Sequence, residues 1–171
     1  MKADELREMQ APFKALYREV PEKATITLKA KGALGGDSIT CKVDTGRALV
    51  EAGLHPATGG DGLSLCSGDM LLEALVACAG VTMKAVATAL DLPLKGGTVT
   101  AEGDLDFRGT LGIVKDVPVG FREIRLRFDI DCPASAEQIE TLLKLTERYC
   151  VVFQTLSKRP ELKIAHRVEA A

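Results

Sequence analysis

Thiols are the most reactive side chains that this sequence offers. The chain of 171 residues has five cysteines and two histidines. The cysteines are Cys41, Cys66, Cys78, Cys132 and Cys150. No two of them have zinc-finger spacing, and neither histidine is near a cysteine in the sequence, so we expect no metal site. The odd count also argues against a framework of structural disulfides, which leaves free thiols that either pack in the core or react.

Two of these cysteines stand out because each lies on a predicted helical segment that also carries polar residues. Cys78 falls in the middle of a long apolar helix, and Cys150 falls where one helical pattern stops and a short new helix begins. Unpaired backbone N–H groups at a helix start, or a neighbouring guanidinium, stabilise a thiolate. Spacing alone leaves two interpretations open, a reactive pair or two core thiols, and it favours the core.

The other cysteines are expected to be structural. Cys41 and Cys132 lie on the apolar faces of predicted strands, and we expect both to be buried and inert. Cys66 lies in a loop, and its role stays open. His166 falls on the apolar face of a predicted last strand, where a core histidine with satisfied hydrogen bonds is the favoured interpretation.

The first third of the sequence changes from helical to strand periodicity. Apolar residues at three- and four-residue spacing predict an amphipathic helix over residues 4–20, with a kink or a late start at Pro12. Alternation of apolar and polar residues then predicts an antiparallel meander of two or three strands over 24–51.

The central helix follows a glycine-rich loop at residues 53–66. Ser67 is a suitable N-cap, Asp69 is favourable in a first turn, and apolar residues continue to Leu90. Charged residues within this stretch make it too polar for a membrane span, so it is interpreted as a buried helix.

The second half repeats the plan of strands followed by a helix that bears one cysteine. Alternation predicts strands near residues 99–107 and 123–132, and Ser135 with Gln138 forms a capping-box pattern for the next helix. A last strand is predicted over Leu162 to Val168. This order predicts an α+β fold with antiparallel sheet, and the missing strand–helix–strand alternation excludes a doubly wound parallel fold.

The composition indicates one globular domain. Hydrophobic residues make up 46% and charged residues 27%, which are ordinary values. The formal net charge of −2 comes from acids and bases interspersed along the chain, so nucleic-acid binding is not expected. The first residues are charged where a signal peptide needs an apolar run, so we expect a cytoplasmic protein without a membrane partner.

One stretch of the chain resembles a known family. Residues 59–80, with the glycines at the start, the helix opening at Ser67 and the Ala-Cys pair at Cys78, resemble the signature of the OsmC/Ohr family of osmotically induced and organic hydroperoxide resistance proteins. A second cysteine, Cys150, follows roughly seventy residues later, as in that family. The resemblance covers about residues 24–170.

The resemblance implies an OsmC-like fold in which antiparallel sheets wrap around a long central helix. It implies an intertwined homodimer whose two active sites form at the subunit interface. It also implies a single OsmC-like domain over residues 22–171, preceded by a helical extension over 1–21. No cofactor is implied.

The resemblance also assigns roles to four residues. Cys78 matches the peroxidatic cysteine, which attacks the peroxide, and Cys150 matches the resolving cysteine, which then forms a disulfide with it. Arg47 matches an arginine that activates the thiol and binds substrate, and Asp69 matches a carboxylate, usually Glu, that holds the arginine. An external dithiol would reduce the disulfide.

Departures from the family pattern place the chain in the broader OsmC-like branch. Asp69 is one methylene shorter than the usual Glu, and Gly68 precedes it where Pro, Met or Glu is frequent. The residues 151–153 read Val-Val-Phe where the peroxidase branch has Pro-Val-Ser. The leading hypothesis is a thiol peroxidase that reduces organic hydroperoxides. The alternatives are a non-catalytic dimeric binding protein and a thiol redox sensor.

Overall fold

The described part of the molecule is organised by a long central helix and two sheets, one mixed and one antiparallel. The computed structural model describes residues 2–20, 31–34, 40–44, 49–112 and 114–168. The helices are α1 (Ala3–Glu19), α2 (Ser67–Ala89), α3 (Phe107–Thr110), α4 (Ala136–Tyr149) and α5 (Val151–Ser157), with a 3₁₀ turn at Pro56–Thr58. The strands are β1 (Lys31–Leu34), β2 (Thr40–Asp44), β3 (Leu49–Gly53), β4 (Leu65–Cys66), β5 (Gly96–Asp104) and β6 (Glu123–Asp131). The α+β fold class predicted from the sequence is confirmed.

The two sheets differ in extent. Strands β1 to β3 form an antiparallel meander, and the two-residue β4 joins it in parallel beside β3. Strands β5 and β6 form an antiparallel pair over nine residues each, from the pairing of Gly96 with Asp131 to that of Asp104 with Glu123. Exposure alternates along β6, because successive side chains of a strand point to opposite faces. The predicted strand residues 24–30 lie outside the described part of the chain.

The core forms around α2. Leu75, Ala79 and Met83 are among its buried residues, and their spacing of four places them on one face of the helix. Met83 packs with the fully buried Leu142 of α4, and Leu75 and Ala79 pack with Cys150. The helix is long and apolar enough to cross a membrane, but the core helix of a water-soluble protein meets the same test.

The helix starts and caps predicted from the sequence are only partly confirmed. The capping box of Ser135 and Gln138 is present at the start of α4, as expected. Ser67 is not the N-cap of α2 but its first residue, and Cys66 takes the cap position without a side-chain hydrogen bond. Helix α1 begins at Ala3, so the late start at Pro12 was wrong.

The largest error concerns the C-terminal segment, residues 158–168. The predicted strand from Leu162 to Val168 is not formed, and His166 is exposed instead of packed in the core. A strand needs a neighbour for its backbone hydrogen bonds, and none of the described strands pairs with this segment. Cys132 is half-buried instead of buried, because β6 ends one residue before it.

Candidate active site

The first thiol lies in the middle of the central helix. Cys78 is half-buried and packs against the cluster formed by Leu75, Ala79 and Cys150. Because it lies next to Ala79 in α2, its side chain is at the margin of the buried face and not at its centre. A thiol in this place is fixed by the helix and still reachable from outside.

The second thiol lies at the break between α4 and α5. Cys150 has an extended backbone, with φ −72° and ψ 107°. It is both the C-cap of α4 and the N-cap of α5. Its side chain is 1% exposed. The helical pattern therefore stops for one residue, and that residue is a buried cysteine.

The fold brings these two thiols into contact. Both are free cysteines, and the thiol of Cys150 donates a hydrogen bond to the sulfur of Cys78. They are 72 positions apart in the sequence, so the contact depends on the packing of both α4 and α5 against α2. The sequence alone left this pair undecided between reaction and packing.

The surroundings of Cys78 favour its thiolate. Burial raises the pKa of Cys78, but hydrogen bonds more than offset this effect, and the net pKa is lowered from the usual value. The donors are the backbone N–H groups of Val152 and Val151, the Cys150 thiol and the Thr82 hydroxyl. Each bond stabilises the charged form of the sulfur. Since the two backbone donors open α5, they are N–H groups without a partner inside the helix.

The surroundings of Cys150 favour its protonated form. Burial raises the pKa of Cys150, and the neighbouring charge of Cys78 raises it further. Hydrogen bonds from the backbone of Phe153 and Val152 lower it in part. The pKa values of the two thiols therefore shift in opposite directions, because ionisation of one opposes ionisation of the other.

A small apolar cavity adjoins the buried thiol. Its volume is about 160 Å³. Its lining is formed by Ala79, Leu126, Phe128, Leu143, Thr146, Glu147, Cys150 and Phe153. Glu147 is the only charged residue in that lining.

The other two predicted site residues are not assembled with the thiols. Asp69 is exposed in the first turn of α2. Nine residues separate it from Cys78, about 13.5 Å along a helix and half a turn out of phase. Arg47 lies outside the described residues. The roles of both stay predictions, and among the described residues the donors to the Cys78 thiolate are all neutral. No group of three potential metal ligands occurs in the described part of the chain.

Sequence reasoning missed the donors that act on Cys78. Thr82 is four residues after Cys78, which places both on one helical face, so its contact could have been found from spacing. The backbone donors of Val151 and Val152 could be inferred only as a general property of a helix start near Cys150. Their target could not, because it depends on the position of α2.

Comparisons with known proteins place this geometry in context. A family model described as OsmC-like protein matches residues 59–165. An OsmC-like protein from Mycoplasma pneumoniae has a similar structure, with a TM-score of 0.64 and 20% identity over 78% of this chain and 89% of the other. An organic hydroperoxide resistance protein OsmC from Legionella pneumophila gives 0.60 and 18% over 78% and 90%. An OsmC-like protein of unknown function from Vibrio cholerae gives 0.62 and 14% over 77% and 94%. No curated protein matches the sequence.

Proposed function

Because the chain belongs to the OsmC-like family, whose model matches more than half of its residues, we propose that it is a thiol-dependent peroxidase that reduces organic hydroperoxides. The observation that carries the proposal is the contact between Cys78 and Cys150, with the pKa lowered at the first and raised at the second. The name of the similar Legionella protein supports the substrate class.

The proposed cycle uses one thiol for attack and the other for resolution. The Cys78 thiolate attacks the terminal oxygen of the hydroperoxide, so that an S–O bond forms, the O–O bond breaks and an alcohol leaves after taking a proton. The Cys150 sulfur then attacks the sulfenic acid, forming the disulfide, and its proton leaves with the hydroxyl group as water. An external dithiol reduces the disulfide by exchange and is itself oxidised.

The contact geometry suits this division of roles. Since Cys150 is protonated and buried, it does not compete for peroxide, and it still carries the proton that the second step needs. Since the thiols already touch, the sulfenic acid can be captured before further oxidation. A reducing cytoplasm is the proposed location, because it supplies the dithiol.

We propose that the site is completed in a homodimer. Exposed apolar residues on α2 and in the C-terminal segment, such as Val81 at 72% and Ile164 at 99%, have no cover within the described chain. A groove of about 460 Å³ lies between α2 and β5, with an apolar lining that also includes Asp69 and Glu73. The C-terminal segment has four Lys or Arg residues against one acid, so the segment of a second copy is the proposed occupant.

Arg47 and Asp69 retain their proposed roles within that dimer. A guanidinium beside the Cys78 sulfur would add a charged donor to the neutral ones and would bind the peroxide, and the carboxylate would orient it. Arg47→Ala is expected to slow peroxide attack more than Asp69→Ala does, measured as the second-order rate constant of a single turnover.

The test of the function is consumption of cumene hydroperoxide with dithiothreitol as reductant. We expect turnover by the natural protein and by Cys132→Ser, which alters a half-buried thiol after β6, and background rates for Cys78→Ser. If neither thiol reacts with peroxide faster than free cysteine, the peroxidase proposal is wrong and the binding-protein alternative replaces it. If peroxide oxidises the pair but dithiothreitol gives no turnover, the redox-sensor alternative replaces it.

A further inference from the structure

The break between α4 and α5 redirects backbone donors that a straight helix would use internally. In a continuous α-helix the N–H of residue 151 donates to the carbonyl of residue 147, four residues earlier. The Cys150 N–H still follows that pattern, bonding the Thr146 carbonyl at 2.9 Å. The extended backbone at Cys150 then ends it, and the Val151 N–H is directed at the Cys78 sulfur.

The Glu147 carbonyl, which does not receive the Val151 N–H, accepts a hydrogen bond from another donor. The side-chain amide of Gln154 donates from Nε2 to the carbonyl oxygen of Glu147 at 2.9 Å. The backbone N–H of Gln154 bonds the carbonyl of Cys150, also at 2.9 Å. Gln154 therefore donates hydrogen bonds both to α4, at the Glu147 carbonyl, and to the break itself, at the Cys150 carbonyl.

We propose that Gln154 is a positioning residue for the reactive thiol: its amide occupies the Glu147 carbonyl, which would otherwise bond the Val151 N–H, and so keeps that N–H on the Cys78 sulfur. The inference deepens the proposed function, because it concerns the group that would attack the peroxide. It concerns a hydrogen-bond exchange, however, and can be tested without peroxide.

The physical basis is competition for one donor. A carbonyl at a helix end that loses its partner gains by capturing a nearby N–H. In a continuous helix the Glu147 carbonyl would accept from the Val151 N–H, so without the Gln154 amide the capture of that N–H would continue α4 towards α5. The Cys78 thiolate would then lose one of its two backbone donors.

The test is the rate at which iodoacetamide alkylates Cys78 between pH 5 and 10, read by mass spectrometry of the Cys78 peptide. Gln154→Met keeps the side-chain length and removes the amide. We expect the alkylation midpoint to move to higher pH and the rate at neutral pH to fall about three- to tenfold, the effect of one hydrogen bond. Thr155→Ala, at an exposed position of the same helix, should change neither.

A second substitution separates positioning from general loosening of the fold. Val151→Pro removes the backbone donor itself at the first position of a helix, where proline is well accommodated. If Gln154 acts only through that N–H, Gln154→Met should have no further effect in the Val151→Pro protein. An equal effect in both backgrounds, or none in either, overturns the proposal.

Gln154→Ala provides a second variant if the Met side chain disturbs packing. The same shift is expected from it, with helical content by circular dichroism unchanged. Altered alkylation in the Gln154 variants, together with absent peroxide turnover by the natural protein, would refute the peroxidase and retain the positioning role. Unaltered alkylation with normal turnover would refute the positioning role alone.

Discussion

Two regions have clear sequence patterns: the junction, meaning the break between α4 and α5 with the two thiols packed there, and the C-terminal segment. Only the junction is buried within a single chain. At the junction Cys150 is 1% exposed and Leu142 is fully buried, whereas Leu162 and Ile164 in the segment are 79% and 99% exposed. A helix satisfies its own backbone hydrogen bonds, while a strand depends on a neighbour. One chain can therefore bring the two thiols together, and a second copy is proposed to cover the segment.

The largest expected effect tests the junction. Cys78→Ser should reduce hydroperoxide turnover to background, because the buried and protonated Cys150 cannot replace it. Cys150→Ser should still permit one round of attack and leave a sulfenic acid on Cys78 that excess peroxide over-oxidises. The measurement is intact mass after a stoichiometric hydroperoxide pulse, with dimedone adducts mapped to the cysteine. If Cys150 of the Cys78→Ser protein forms a dimedone adduct as fast as the natural protein does, the two roles are reversed.

The next largest effect tests the C-terminal segment. In an isolated chain, Ile164→Asp alters a fully exposed side chain and should change stability by less than about 0.5 kcal/mol. If a second copy covers Ile164, the substitution buries a charge and should weaken the dimer by more than about tenfold. Sedimentation velocity across a concentration series measures this. Ala136→Asp, which adds the same charge at the exposed start of α4, should leave the dimer intact. A monomeric natural protein at micromolar concentration would contradict the proposed assembly.

The comparison also explains which features could be predicted from the sequence. The capping box at Ser135, the strand alternation of β6 and the helical break at Cys150 depend on neighbouring residues, and each was expected. The exposure of His166 was not, because alternation does not say whether a partner strand exists in the same chain. The donors of Val151 and Val152 were expected only as part of a helix start. Their action on Cys78 depends on packing between α2 and α5.

A smaller effect concerns pH and the opposite pKa shifts of the thiols. At neutral pH iodoacetamide should label Cys78 faster than Cys150 by thiolate fraction as well as by access. The lowered pKa of Cys78 adds stability above the unfolded thiol pKa of about 8.5, and this is lost as pH falls through the lowered folded value. The raised pKa of Cys150 does the opposite and reduces stability as pH rises past the unfolded value.

Chemical denaturation at a series of pH values can separate the two contributions. In Cys78→Ser the alkaline loss of stability due to Cys150 should shrink but not vanish, because burial still raises the pKa of Cys150 while the added effect of the Cys78 charge is gone. In Cys150→Ala the midpoint for Cys78 alkylation should rise, because the thiol that donates to the Cys78 sulfur is removed. Identical alkylation midpoints for the two cysteines in the natural protein would show that the junction does not distinguish them.

The smallest effect belongs to the Thr82 hydroxyl, one of four donors to the Cys78 sulfur. Thr82→Val keeps the branched shape and removes the donor, so Cys78 alkylation at neutral pH should slow by about two- to fivefold, within the range for one hydrogen bond. Thr88→Val on the same helix removes a hydroxyl that bonds only the Lys84 carbonyl and should leave the rate unchanged. Because three other donors remain, the pKa of Cys78 should rise but stay below that of Cys150. A Thr82→Val protein with the natural pH profile would mean that the first turn of α5 and the Cys150 thiol alone hold the thiolate.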